Sequence, residues 1–168
     1  RPSVVALMVT WNRREAAAGV LRALGAQAGH HARVRAIIVD NASTDGTSDF
    51  LAGQFGVART LRNDTDRADA PAFVPLPMGA EAIAPRGLIG AIESFVLVRN
   101  THNLGGTGGF NTAMRALHLG AAFPGETAPD FVWLLDDDID LPEDALACLL
   151  IAAGTDPGIA LVGSRTCD

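Results

Sequence analysis

Phe131-Val132-Trp133-Leu134-Leu135-Asp136-Asp137-Asp138-Ile139-Asp140 decides how the chain is read. Its five leading apolar residues are too few for a membrane span and predict a strand buried on both faces, with three consecutive carboxylates where the strand leaves its sheet. In extended backbone, residues i and i+2 point the same way. Asp136 and Asp138 are therefore expected to face one side as a pair, and Asp137 the other. Carboxylates held this close oppose one another's ionisation unless a cation neutralises them, and hard oxygen ligands suit Mg²⁺ or Mn²⁺. The plainer alternative is a solvated acidic loop that caps the following helix, and the segment by itself leaves both open.

Three apolar runs upstream have the same form. Val4-Val5-Ala6-Leu7-Met8-Val9 predicts a first buried strand that ends at Thr10-Trp11-Asn12. Asn12 and Glu15 make a variant capping box, and Ala17, Val20, Leu21 and Leu24 then recur at helical spacing up to Gly25. Ala36-Ile37-Ile38-Val39 predicts a second strand, closed by Asp40-Asn41-Ala42-Ser43-Thr44-Asp45-Gly46-Thr47. Small polar residues and a glycine suit a tight strand-to-helix turn, with Ser43 or Thr47 placed to cap a helix containing Phe50 and Leu51. Asp40 is either an Asx-turn residue or, since parallel sheets hold ligands at their carboxyl ends, a member of the same rim as Asp136.

Phe95-Val96-Leu97-Val98 predicts the third strand, followed by Asn103-Leu104-Gly105-Gly106-Thr107-Gly108-Gly109-Phe110-Asn111. Phe110, Ala113, Met114 and Leu117 set an amphipathic helix directly behind the glycines, where backbone can approach a ligand and free N–H groups can meet a phosphate. With no lysine in the chain a Walker A loop is excluded, and no G-x-G-x-x-G fingerprint threads through these glycines. After the acidic cluster, Asp140 and Glu143 form a second D-x-x-E cap, and Leu146, Leu149, Leu150 and Ala153 give the next helix a buried stripe. Ile159-Ala160-Leu161-Val162 reads as a further strand. Between the second and third strands, residues 60–93 carry Asp64, Asp66, Asp69, Pro71, Pro75, Pro77 and Pro85, which break any period; they are expected to be an insertion or flexible loop with one short helix near its end.

Alternating strands and helices with short connections predict an α/β domain over residues 1–168, a mainly parallel Rossmann-like sheet with helices on both faces. A net charge of -6, a pI near 5.1 and thirteen scattered basic residues, all arginine, argue against a nucleic-acid partner. Cys148, on the apolar side of a helix, and Cys167, in the terminal tail, lack metal-ligand spacing and suit a reducing compartment. His30, His31 and His102 read as loop residues. No apolar run is long enough for a transmembrane helix and no signal-peptide pattern is visible. The chain starts at Arg1 without a methionine and stops at Asp168, just after an apolar segment, which leads us to expect a truncated piece of a longer protein.

Taken together, residues 4–12, 37–47, 103–111 and 131–143 resemble the nucleotide-sugar-binding half of inverting glycosyltransferases of family 2, which have the GT-A fold. The triple aspartate and the Asn-Leu-Gly-Gly-Thr-Gly-Gly-Phe-Asn segment look most like the galactofuranosyl- and rhamnosyltransferase branch. The resemblance implies that Thr10 and Trp11 line a nucleoside pocket and that Asp40 accepts a hydrogen bond from a uracil or thymine imide. It places Asn103, Gly105 and Gly106 along the sugar diphosphate, Asp136 and Asp138 on a divalent metal (Mn²⁺ or Mg²⁺), and Asp137 toward the donor sugar. The implied partners are a UDP- or dTDP-sugar donor and a glycan or lipid-linked acceptor, in polysaccharide or cell-wall synthesis, with the protein cytoplasmic or peripheral at the inner face of the membrane. Family members carry their catalytic base well after the acidic motif, so the resemblance puts the base beyond Asp168 and assigns no catalytic residue within the chain. This chain would then bind donor with little or no transfer. Rival readings are a non-catalytic nucleotide-sugar-binding fragment and a haloacid-dehalogenase-type phosphatase; the second is disfavoured because Ile139 follows the motif and no lysine is present.

Overall fold

A computed structural model of the chain describes residues 1–27, 32–67, 69–77 and 90–164. Its elements run β1 (Ser3–Thr10), α1 (Arg14–Gly25), β2 (Arg33–Asp40), α2 (Thr47–Gln54), β3 (Arg59–Asn63), β4 (Phe73–Pro75), β5 (Ile92–Asn100), α3 (Gly105–His118), β6 (Phe131–Leu135) and α4 (Ala145–Ala153). The six strands form one sheet in the order β4-β3-β5-β2-β1-β6, parallel except for β4, which is antiparallel to β3. This is a Rossmann-like α/β architecture, and all five parallel strands deliver their carboxyl ends to one rim.

Alternation along the central strands builds two cores. Val4, Ala6 and Met8 face the side covered by α1, α2 and α4, where Ala17, Leu21, Leu24, Leu51 and Leu146 are buried. Val5 and Leu7 face α3 with Ile37, Val39, Val96, Val98, Ala113 and Ala116. Because both faces are covered, β1, β2 and β5 are the continuous apolar runs that parallel strands require.

Four expectations are corrected. First, residues 60–93 are not wholly irregular: β3 and β4 lie in or beside this stretch and extend the sheet by two strands. Arg59-Thr60-Leu61-Arg62-Asn63 offers a single buried apolar side chain, Leu61, so pairing to β5 makes it a strand where composition does not. The short helix expected near the end of the stretch lies outside the described residues, as do His30, His31, Cys167 and Asp168. Second, β6 is an edge strand, and Phe131, Val132 and Leu134 are exposed rather than buried on both faces. A run of apolar residues marks a strand without telling centre from edge. Third, residues 159–162 form no strand; they lie irregularly beside β6 and α4, lining with Phe131, Trp133, Leu146 and Leu150 an apolar groove of about 260 Å³. Fourth, α4 buries Leu146 alone, and Cys148 is exposed. The start of β6 is pinned to the start of β1 by a reciprocal pair: Ser3 N donates to Asp130 Oδ2 (2.8 Å) and Asp130 N to Ser3 O (2.9 Å).

Candidate functional site at the carboxyl rim of the sheet

Thr10 and Asp40 are register partners at the ends of adjacent strands, and Asn41 N donates to Thr10 O (2.9 Å). Both side chains fall on the face shared by Met8 and Ile38, and both are buried, at 1% and 4% exposure. Asp40 performs the turn role first: Oδ1 accepts from Ser43 N (2.9 Å) and Oδ2 from Ser48 Oγ. Each carboxylate oxygen has a second lone pair, so a further donor can still be accepted. Among the described residues the buried Thr10 hydroxyl has no hydrogen-bond partner, an arrangement that costs about 1–3 kcal/mol unless something supplies one. Trp11 follows on the rim, half exposed.

The capping expected of Asn12 is replaced by a staple between two turns. Asn12 adopts φ 53°, its N–H donates to Ser43 Oγ (2.9 Å), and its Oδ1 accepts from Thr44 N (2.8 Å). Position 13, not 12, is the N-cap of α1, and no side chain caps that helix. At α2 the acceptor is Asp45, whose Oδ1 takes the Thr47 N–H (3.0 Å); Ser43 is committed to Asn12. Asp140 and Glu143 do not cap α4, which begins at Ala145.

The Thr47 hydroxyl holds the Asp45 carboxyl below the ordinary aspartate range. A depressed folded value means stability that is present above the unfolded pKa of about 3.9 and lost as pH falls through the folded value. Asp45→Ala is therefore expected to cost about 1 kcal/mol at neutral pH, with the gap to the wild type narrowing in acid melts below about pH 4. A gap that stays constant with pH would show that the carboxylate charge is not involved.

The acidic cluster turns as it leaves β6, so strict alternation fails. Arg13 Nη1 pairs with Asp138 and stands 3.6 Å from Asp137, so these two carboxylates share one cation while Asp136, exposed, has no partner among the described residues. The hydrogen bond to Asp138, then the charges of Asp137 and Asp138, hold the Arg13 guanidinium above the ordinary arginine value. Arg13 was not singled out by sequence, because only the fold places the start of α1 beside the end of β6.

On the opposite sheet face, Asn41 Nδ2 donates to Asn103 Oδ1 (2.9 Å) and Gly105 O (3.0 Å), tying the end of β2 to the start of α3. Asn103 is exposed. Gly105 has φ +68°, a left-handed conformation open to glycine, and among the described residues no heavy atom beyond the adjoining backbone lies within 4 Å of where a Cβ would stand at Gly105 or Gly106. Gly109 differs, since it packs against Val9. The buried stripe of α3 is Gly108, Gly109, Thr112, Ala113 and Ala116, and Met114 is exposed, contrary to the expected spacing.

No family model and no curated protein matches the chain. The geometry alone therefore carries the reading of the site. Contacts run from Asp138 to Arg13, from neighbouring Asn12 to Ser43 and from Ser43 to Asp40, and from Asn41 to Asn103 and Gly105. Among the described residues, no group of three or more His, Cys, Asp or Glu side chains is arranged to hold a metal ion, and no helix is long and apolar enough to cross a membrane. Asp168, past which the resemblance puts the catalytic base, is not among them.

Proposed function

We propose that this chain is the donor-binding half of a metal-dependent inverting glycosyltransferase of the family 2 type, with a GT-A fold, taking a UDP- or dTDP-activated sugar. The observation that supports it is the assembly, along one rim, of Thr10, whose hydroxyl has no partner among the described residues, with Asp40, Asn103, Gly105, Gly106 and the 136–138 carboxylates. In this reading a nucleobase would stack on Trp11 with the Asp40 carboxylate accepting a ring N–H, and the diphosphate would lie toward Asn103 and the open glycines.

Mg²⁺ or Mn²⁺ on a nucleoside diphosphate is satisfied by one or two protein carboxylates plus phosphate oxygens and water, so three clustered ligands are not required. Asp136 and Asp138 would hold it, and the ion would stabilise charge on the departing diphosphate. Arg13 competes for Asp138, and a bound diphosphate would offer its guanidinium a second anion. Metal and nucleotide are accordingly expected to bind together more strongly than either does alone. Sugar acceptor, a catalytic base beyond Asp168 and any lipid-linked or inner-membrane setting belong to the same proposal.

The competing reading, a solvated acidic turn, is favoured by the Arg13 pairing, which already neutralises part of the cluster. Calorimetry with UDP separates the two. Mn²⁺-dependent binding that is lost in Asp136→Ala/Asp138→Ala supports the donor site. Binding that ignores both Mn²⁺ and the double substitution would reduce the cluster to a surface turn.

A further inference from the structure

At the α3 side of the rim, four asparagine side chains form one continuous hydrogen-bonded chain across three strands. Asn63 Nδ2 donates to Asn100 Oδ1 (2.9 Å), Asn100 Nδ2 to Asn41 Oδ1 (2.9 Å), and Asn41 Nδ2 to Asn103 Oδ1 (2.9 Å). Asn63, Asn100 and Asn41 are buried, at 0%, 5% and 2% exposure. Burying three amides is costly unless every polar atom is paired, and here the pairing also fixes a direction.

Backbone N–H groups, which can only donate, set that direction at three points. Ala72 N donates to Asn63 Oδ1 (2.9 Å), Leu104 N to Asn41 Oδ1 (3.0 Å), and Gly105 N to Asn103 Oδ1 (2.9 Å). Each amide oxygen is thereby located, each NH₂ must face the next oxygen, and no member can flip without setting acceptor against acceptor. The chain begins in the β3–β4 hairpin, which Ala72 N closes onto Asn63, and ends at Asn103. There the oxygen is held by two donors, leaving the Nδ2 of Asn103 as the terminal donor, on an exposed residue beside Gly105. Chains of this kind polarise their members in one sense, which strengthens the last donor.

We infer that Asn63, Asn100 and Asn41 are positioning residues that aim the Asn103 amide at an anionic oxygen of the ligand, so that the β3–β4 hairpin is wired to the ligand site. The nature of that ligand rests on the donor-binding reading above; the wiring does not. It assigns a role to part of the stretch 60–93 that the sequence left as an insertion.

A double-mutant cycle on the whole chain tests it, with UDP and Mn²⁺ as the probe and the ¹⁵N side-chain amide signal of Asn103 as a second readout, assigned by its loss in Asn103→Ala. Asn100→Leu and Asn103→Ala are each expected to weaken UDP binding about tenfold, and the double substitution no further than Asn103→Ala alone. Asn100→Leu is also expected to move the Asn103 amide signal. Should Asn100→Leu not fold, Asn63→Ala at the far end of the chain is read in the same way. Additive losses, near a hundredfold in the double variant, or an unmoved Asn103 signal would overturn the inference. Failure of the wild type to bind UDP, with an Asn103 signal that still moves, would remove the donor reading and leave the wiring standing.

Discussion

Gly109→Ala is expected to destabilise the chain by about 1–3 kcal/mol, while Gly106→Ala, in the same glycine-rich segment, leaves stability unchanged or slightly raised. A Cβ at position 109 would stand 2.4 Å from Val9 Cγ1, 3.0 Å from Cγ2 and 3.3 Å from Cβ. Valine is stiff at χ1, so rotating one methyl away brings another into the same space, and α3 must instead back off the sheet. At Gly106 a Cβ would meet no described atom within 4 Å beyond its own helix turn, and a helical alanine is favoured over glycine by up to about 1 kcal/mol. Thermal and urea unfolding of the two variants would show the contrast. Adding Val9→Ala to Gly109→Ala should recover part of the loss, and a double variant no better than the sum of its parts would place the strain elsewhere. Glycines that read alike in sequence thus divide into two buried in the face of α3, Gly108 and Gly109, and two on open space, Gly105 and Gly106.

The second large effect separates the centre of the sheet from its edge. Ile37→Ala, at a fully buried position in β2, is expected to cost about 2–5 kcal/mol, whereas Leu134→Ala, at 55% exposure in β6, should stay within about 0.5 kcal/mol. With a melting shift of about 2–4 °C per kcal/mol for a chain of this size, the first is readily seen by calorimetry and the second is near the noise. Comparable losses at both positions would mean that β6 is covered in solution.

The same contrast explains what could be read from the sequence. Apolar runs located β1, β2, β5 and β6, and helical spacing located α1 down to its end at Gly25. Such runs record that both faces are apolar, not whether a neighbour exists to cover them, so the sequence of β6 predicts burial on both faces where the fold leaves an edge. Its converse is β3, where Arg59, Thr60, Arg62 and Asn63 give no apolar period and pairing with β5 decides. The rim itself was legible, because parallel strands place Thr10, Asp40 and Asp136 at one end of the sheet whatever else happens. What joins them was not. Arg13 on Asp137 and Asp138, and four asparagines from three separate segments, meet only through tertiary structure, and no local spacing encodes the meeting. A signal did exist, in that asparagine recurs at the carboxyl end of β2, β3 and β5 as Asn41, Asn63 and Asn100.

The reciprocal Ser3–Asp130 clasp has a consequence in time. It joins residues 127 positions apart, while β1 meets β2 through a far shorter loop. The longer closure, about two doublings of loop length, adds only about 1 kcal/mol of chain entropy, so the finished sheet is scarcely weakened by it. Rates respond differently: contacts of wide sequence separation form slowly, because closure precedes any reward. A refolding chain is thus expected to assemble β1, β2 and β5 with α1 and α3 first. Until β6 docks, Asp137 and Asp138 have no fixed place beside Arg13, and the acidic corner is the last part of the rim to form.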